Sequence, residues 1–316
     1  MRYEVDRRPS FGAHDLRGRQ RPRSGEASLY ELTSVHRQPG PCYRSRRDHH
    51  TPALGRQAAL RAQLLPGVQL TAQAMTQNIY DNPEFFEGYS RLGRSVEGLD
   101  GAAEWPALRA LLPELRGLRV VDLGCGFGWF CRWARQHGAA AVLGIDVSEK
   151  MLARARATTT DAAISYLKAN MDRAELPQAA FDLAYSSLAL HYVEDLDGLL
   201  AKVHRSLIPG GHLVFSVEHP IFTAPTQPGW AVGVDGRKSW PVDSYLCEGP
   251  RRTDWLAKGV IKQHRTLATY LNLLLRLGFS LSHIEEWGPS DEQIVARPAL
   301  TDERQRPMFL LVAARR

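Results

Sequence analysis

Short apolar runs alternate with amphipathic stretches from Leu118 onward, a rhythm that predicts an α/β domain built on a mostly parallel sheet. "LRVVDLG" reads as the first strand and "WFCRWARQHG" as the helix after it, closed by Gly138. "AAVLGIDV" is the second strand, and Ser148 stands where it can cap the helix in "SEKMLARARATT". "ISYLKAN" is the third strand and "FDLAYSSLAL" the fourth. The helix "LDGLLAKVHRSL" then leads to a "PGG" turn and a fifth strand, "HLVFSVEH".

After the fifth strand the rhythm stops. Residues 220–263 are crowded with prolines and glycines and carry Trp230, Trp240, Tyr245 and Trp255, which reads as an insertion rather than another strand and helix. Helical spacing resumes with Leu267, Tyr270, Leu271 and Leu274 and ends at Gly278. "FSLSHIEEW" and "MFLLVAAR" supply two last strands. The loop between them is short and broken by proline, so they are expected to be antiparallel neighbours.

Charge divides the chain differently. Residues 1–74 hold 13 Arg, no Lys and 6 acidic residues, whereas residues 75–316 hold 27 basic and 28 acidic ones. The first segment has no apolar periodicity and is rich in Arg, Pro, Gly and Ser, so it is expected to be disordered on its own. A nucleic-acid-binding arm, an organellar transit peptide and an upstream extension compete as readings. Its acidic residues weigh against a transit peptide, and the change of composition at Met75 favours an extension ahead of a domain spanning 75–316. Cys42, Cys125, Cys131 and Cys247 form no C-x-x-C pair, which fits a reducing cytoplasm. No apolar run of membrane-spanning length is present. His49 and His50 have no ligand-type neighbours, so no metal is expected.

The candidate chemistry starts at "VVDLGCGFGWF". Glycines between a strand and a helix let backbone approach a ligand closely. The dinucleotide fingerprint G-x-G-x-x-G fails here, because after Gly124 and Gly126 its third glycine would fall on Trp129. Asp122 at the strand end would also repel a pyrophosphate. A cofactor with a sulfonium, an ammonium and no phosphate suits an acidic strand end better, and S-adenosylmethionine has those groups. Asp146 ends the second strand 24 residues later, where a carboxylate can accept both hydroxyls of a ribose or simply favour the N-terminus of the next helix. Asp172 follows the third strand, as an acceptor for an adenine amino group or as a turn residue.

From about Asn78 to the end the chain resembles the class I S-adenosylmethionine-dependent methyltransferases, in their small-molecule branch. "VVDLGCGFG" is similar to that family's first motif, "GIDVSEKML" to its second, "DRAELP" and "FDLAYSSLALHYVED" to its third and fourth, and "LIPGGHLVFS" to its fifth. The resemblance implies a Rossmann-like, doubly wound, seven-stranded sheet of order 3-2-1-4-5-7-6 with strand 7 antiparallel. It implies cofactor contacts from Asp122, Gly124, Gly126 and Gly128 at the amino-acid end, from Asp146 at the ribose, and from Met171 and Asp172 at the adenine. "NPEFFEGYSRLGRS" resembles the helix that closes over the cofactor, with Tyr89 and Arg94 as partners of its carboxylate.

For the reaction, the expectation is in-line displacement at the sulfonium methyl, in a site that orients the nucleophile and excludes water. A hydroxyl acceptor would call for a general base. By position the candidates are His219 and His191, with His264 a third and Glu218 the alternative inward residue beside His219. His191 also reads as a buried residue that orients its loop. Trp230, Trp240 and Tyr245 suggest a substrate lid over an apolar acceptor, or a satellite core. Two rival functions differ in kind. A nucleic-acid methyltransferase would draw on the basic arm, yet "SSLAL" stands where base-methylating enzymes carry Asn/Asp-Pro-Pro-aromatic, and the folded part has no basic excess. A non-catalytic cofactor-binding protein would have less use for acidic ribose and adenine positions together.

Overall fold

The computed structural model describes residues 77–316, and the extension expected at residues 1–74 lies outside them. The described chain opens with three short helices, α1 (Pro83–Ser90), α2 (Gly93–Val96) and α3 (Trp105–Ala110). Pro83 presets the first turn of α1, and the Asn82 side chain accepts the Phe85 N–H at 3.1 Å. The stretch that resembles one closing helix is therefore two, separated where Leu92 turns extended, with ψ 148°.

Next come β1 (Arg119–Leu123), α4 (Trp129–Gln136), β2 (Ala141–Asp146), α5 (Glu149–Ala157) and β3 (Ile164–Lys168). They are followed by β4 (Phe181–Ser187), α6 (Leu196–Ser206) and β5 (Leu207–Glu218). Ser148 caps α5 as its position predicts, accepting the Met151 N–H at 3.1 Å. Strand β5 starts earlier than the "PGG" turn suggests. Gly210 takes φ +78°, and the pairing slips between Phe181 and Leu183, so the turn is absorbed as an irregularity within the ladder.

The insertion contains α7 (Pro220–Thr223) and two antiparallel hairpins, β6 (Ala231–Val232) with β7 (Lys238–Ser239) and β8 (Gly249–Trp255) with β9 (Ala257–His264). It is thus more regular than its proline and glycine content suggests. The chain closes with α8 (Leu267–Arg276), β10 (Ser280–Trp287), α9 (Asp291–Ala296) and β11 (Phe309–Arg315). The loop expected between the last two strands holds the six-residue α9, started by a Ser290/Gln293 capping box.

The main sheet runs β10-β11-β5-β4-β1-β2-β3. Pairings among β1 to β5 are parallel, while β11 lies antiparallel to both β5 and β10. This is the seven-stranded order expected. Alternate residues of β1 enter opposite cores. Val121 and Leu123 pack with Leu199 and Val203 of α6 and Leu274 of α8. Val120 packs with Leu108 of α3, Phe130 and Ala134 of α4 and Leu152 of α5. Each such aliphatic side chain, fully buried, contributes about 1.5 to 3 kcal/mol, so the two-sided burial fixes the sheet between its helices. Among the described residues no helix is long and apolar enough to cross a membrane.

Candidate active site

The glycine-rich turn is tied to the end of the neighbouring strand. Gly124 and Cys125 both donate their N–H to the Ile145 carbonyl, at 2.8 and 3.0 Å. The Asp146 carboxylate accepts the Gly126 N–H and the Ser148 N–H, each at 2.9 Å. Burial pushes the Asp146 carboxyl up, and these backbone donors hold it back. Gly124, at φ +79°, has no room for a side chain, because a Cβ there would lie 2.3 Å from the Ala189 Cβ. Gly128 is glycine for a different reason. A Cβ there would lie 2.1 Å from the Tyr166 hydroxyl, and Gly128 lines neither of the two cavities at the strand ends.

The larger of these cavities measures about 1050 Å³ and opens over the carboxyl ends of the parallel strands. One end is bounded by Gly124, Gly126, Asp146, Met171 and Asp172. Asp172 is anchored there, accepting the Asp195 N–H at 2.7 Å and donating its own N–H to Asn170 at 3.0 Å. Tyr89 and Arg94 also reach the wall. Arg94 is already engaged, donating to both carboxylate oxygens of the buried Glu104 at 3.1 and 3.2 Å. Asp122 sits instead beside the smaller cavity, with the Cys131 S–H donating to it at 3.2 Å. Its burial pushes the carboxyl up to about 7.

The other end of the large cavity is bounded by His191, Glu218, Trp255 and Lys262, and then by Phe222, Trp230, Trp240 and Arg306. The Arg306 guanidinium lies 4.0 Å from the Trp240 ring centre, 4.5 Å from Phe222 and 5.1 Å from Trp230. Glu303 pairs with it at 2.9 Å. The Trp240 indole N–H donates to the Ile221 carbonyl at 3.0 Å, which fixes the ring in the wall.

Several positions suggested by sequence lie elsewhere. His219 is buried outside the cavity. Its Nδ1 accepts the Ile221 N–H at 3.1 Å, and its Nε2–H donates to Glu286 at 2.9 Å, so both ring nitrogens are used. His264 likewise donates from Nε2 to the Tyr245 carbonyl at 2.8 Å and accepts the Thr223 hydroxyl at 2.9 Å, and neither it nor Tyr245 reaches the cavity. His191 does line the cavity. Burial lowers its pKa to about 4, and its Nδ1 accepts the Glu218 N–H at 3.4 Å, which leaves the ring proton on Nε2 and a poor proton acceptor. Glu218, the alternative to His219, does line the cavity, whereas Arg306 and Lys262 carry no sequence signal of their own. Their partners are distant in the chain.

The fold and this cavity are those of a methyltransferase. Residues 121–215 match the family described as "Methyltransferase domain". The chain is 67% identical to an S-adenosylmethionine-dependent methyltransferase from Mesorhizobium loti, whose crystal structure aligns over 100% of its own length and 69% of this chain with a TM-score of 0.68. It is 34% identical over 247 residues to an uncharacterized protein of Haemophilus influenzae, spanning 97% of that protein and 76% of this one. The malonyl-[acyl-carrier protein] O-methyltransferase of Enterobacter lignolyticus matches over only 110 residues, at 40% identity, covering 43% of its length. The chain belongs to the class I S-adenosylmethionine-dependent methyltransferases. The residues present fit S-adenosylmethionine at the first end of the cavity, where Gly124 and Gly126 stand beside the Asp146 and Asp172 carboxylates.

Proposed function

We propose that this methyltransferase acts on a small organic acceptor bound at the aromatic end of the cavity. When bound, S-adenosylmethionine supplies a sulfonium-activated methyl group for displacement by a nucleophile. Asp146 would hold the ribose, Met171 and Asp172 the adenine, and the Gly124–Gly126 backbone the amino-acid end. The observation that carries the reading is the continuity of one cavity from Asp146 to the Trp230 and Trp240 wall. Its volume lies just above the usual range for small-molecule sites, of roughly 300 to 1,000 Å³, which is room for a cofactor and a modest acceptor.

The test is to incubate the protein with radiolabelled S-adenosylmethionine and, separately, the low-molecular-weight fraction and the total RNA of the same cells. Label is expected in the small-molecule fraction. Label entering RNA instead would replace this reading with a nucleic-acid one.

Trp240→Ala is expected to slow transfer about 10- to 100-fold through lost positioning of the acceptor, while the cofactor's dissociation constant changes less than about twofold. Calorimetry and turnover on the same sample make the comparison. Normal turnover in a stable variant would remove Trp240 from the acceptor site.

We further place the catalytic domain at residues 75–316, with 220–263 as its lid. The Mesorhizobium loti protein aligns along its whole length with part of this chain, which supports a domain that stands alone. A chain starting at Met75 should therefore keep its melting temperature and its stabilisation by cofactor. Loss of either would show that the extension contributes to the fold or the site.

A further inference from the structure

Glu218 is the last residue of β5 and lines the second end of the cavity, with His191, Trp255 and Lys262. Its side chain is only 14% exposed. One oxygen, Oε1, accepts from the Lys262 ammonium at 2.5 Å. The other, Oε2, is buried and has no hydrogen-bond partner. Lys262 comes from β9 of the insertion and is itself held, 6% exposed, with its ammonium 4.9 Å from the centre of the Trp255 ring. Behind the carboxylate, the backbone N–H of Glu218 is directed at His191 Nδ1.

A carboxylate that only balanced Lys262 would have no reason to leave an oxygen unpaired in a buried wall, because an unmet acceptor there is unfavourable. The lysine fixes the group's orientation. What remains is an acceptor-only atom on a residue that lines the cavity, and a ligand that brings an N–H or O–H would satisfy it. None of the three histidines suggested by sequence competes for this task. His219 and His264 lie outside the cavity with both nitrogens bonded, and His191 presents an N–H.

We propose that Glu218 Oε2 is the proton acceptor of the reaction and that the methyl acceptor is therefore an amine or hydroxyl compound, not a carboxylic acid. The inference rests on the methyl-transfer reading above. The nucleophile's nitrogen or oxygen forms a bond to the methyl carbon as the methyl–sulfur bond breaks. The proton it loses passes to Glu218 and then to water. A carboxylate nucleophile brings no proton for Oε2 and would meet it as a like charge.

The test uses the full-length chain with methyl-labelled S-adenosylmethionine and the low-molecular-weight fraction of a cell extract, with mass identification of the labelled product. A methylated amine or a methyl ether is expected. A methyl ester, or a methyl on an atom that carried no proton, would overturn the assignment while leaving methyl transfer intact. No labelled product at all would count against the transfer reading and this one together. Product identity needs no variant, so it decides even if substitutions at Glu218 fold poorly.

In parallel, Glu218→Gln should lower the transfer rate about 100-fold or more, the range of a lost general base. Binding of S-adenosylhomocysteine, followed by calorimetry, should stay within about twofold of the wild type. An unchanged rate in Glu218→Gln would overturn the proposal.

Discussion

Replacing Asp146 with alanine is expected to weaken S-adenosylmethionine binding by about 10- to 150-fold, or roughly 1.5 to 3 kcal/mol, the usual worth of hydrogen bonds to a charged group. The carboxylate ends β2 and is only 8% exposed. Each oxygen already accepts one backbone N–H, from Gly126 or from Ser148, and keeps a further lone pair for a ribose hydroxyl. The substitution is therefore expected to act twice, removing the proposed ribose acceptors and loosening the glycine turn that Asp146 holds through the Gly126 N–H. Asp146→Asn separates the two effects, since it keeps the shape and one acceptor oxygen and should fall between wild type and alanine. Calorimetry with S-adenosylhomocysteine gives the affinities. Unchanged affinity in a folded Asp146→Ala protein would remove this residue from the cofactor site.

Gly124→Ala should be strongly destabilising. Its left-handed backbone costs an L-residue about 1 to 2 kcal/mol, and forcing a methyl against its neighbours adds about 1 to 3 kcal/mol. The clash is with the Ala189 Cβ, 2.3 Å away, which has no flexible end to swing aside. For a domain of this size the sum corresponds to a fall in melting temperature on the order of 5 to 15 °C. Gly126→Ala provides the contrast. Its φ of +51° carries the same backbone cost, but a Cβ there meets nothing within 4 Å, so the variant should melt between wild type and Gly124→Ala and bind cofactor poorly, because Gly126 lines the cavity. If both variants melt alike, the packing explanation for Gly124 is wrong.

These contrasts mark what was legible in the sequence. The parallel strands and their helices announced themselves through periodicity, and the cap of α5 through Ser148, because both arise from interactions among near neighbours in the chain. The choice between Glu218 and His219 was not readable in that way. The inner half of β5 is buried on both faces, so no polar-apolar alternation shows which parity looks into the cavity. Tyr245 and His264 have the residue types of a substrate wall, but β9 places His264 against Thr223 and against Tyr245, which precedes β8. The β8–β9 hairpin was itself hidden, since β8 reads "GPRRTDW" and keeps every second residue exposed without an apolar stripe to betray it. The pairing of Lys262 with Glu218 spans 44 residues and depends on the insertion folding back over the sheet.

The caged guanidinium bears on how such a site can change. Phe222, Trp230 and Trp240 belong to the segment after β5, whereas Arg306, whose charge they surround, belongs to the one leading into β11. Transplanting residues 220–263 between two homologous enzymes would carry the rings and leave the cation behind. The wall these residues form is in that sense a shared inheritance of two stretches of chain, and a drift in one constrains which drifts in the other survive.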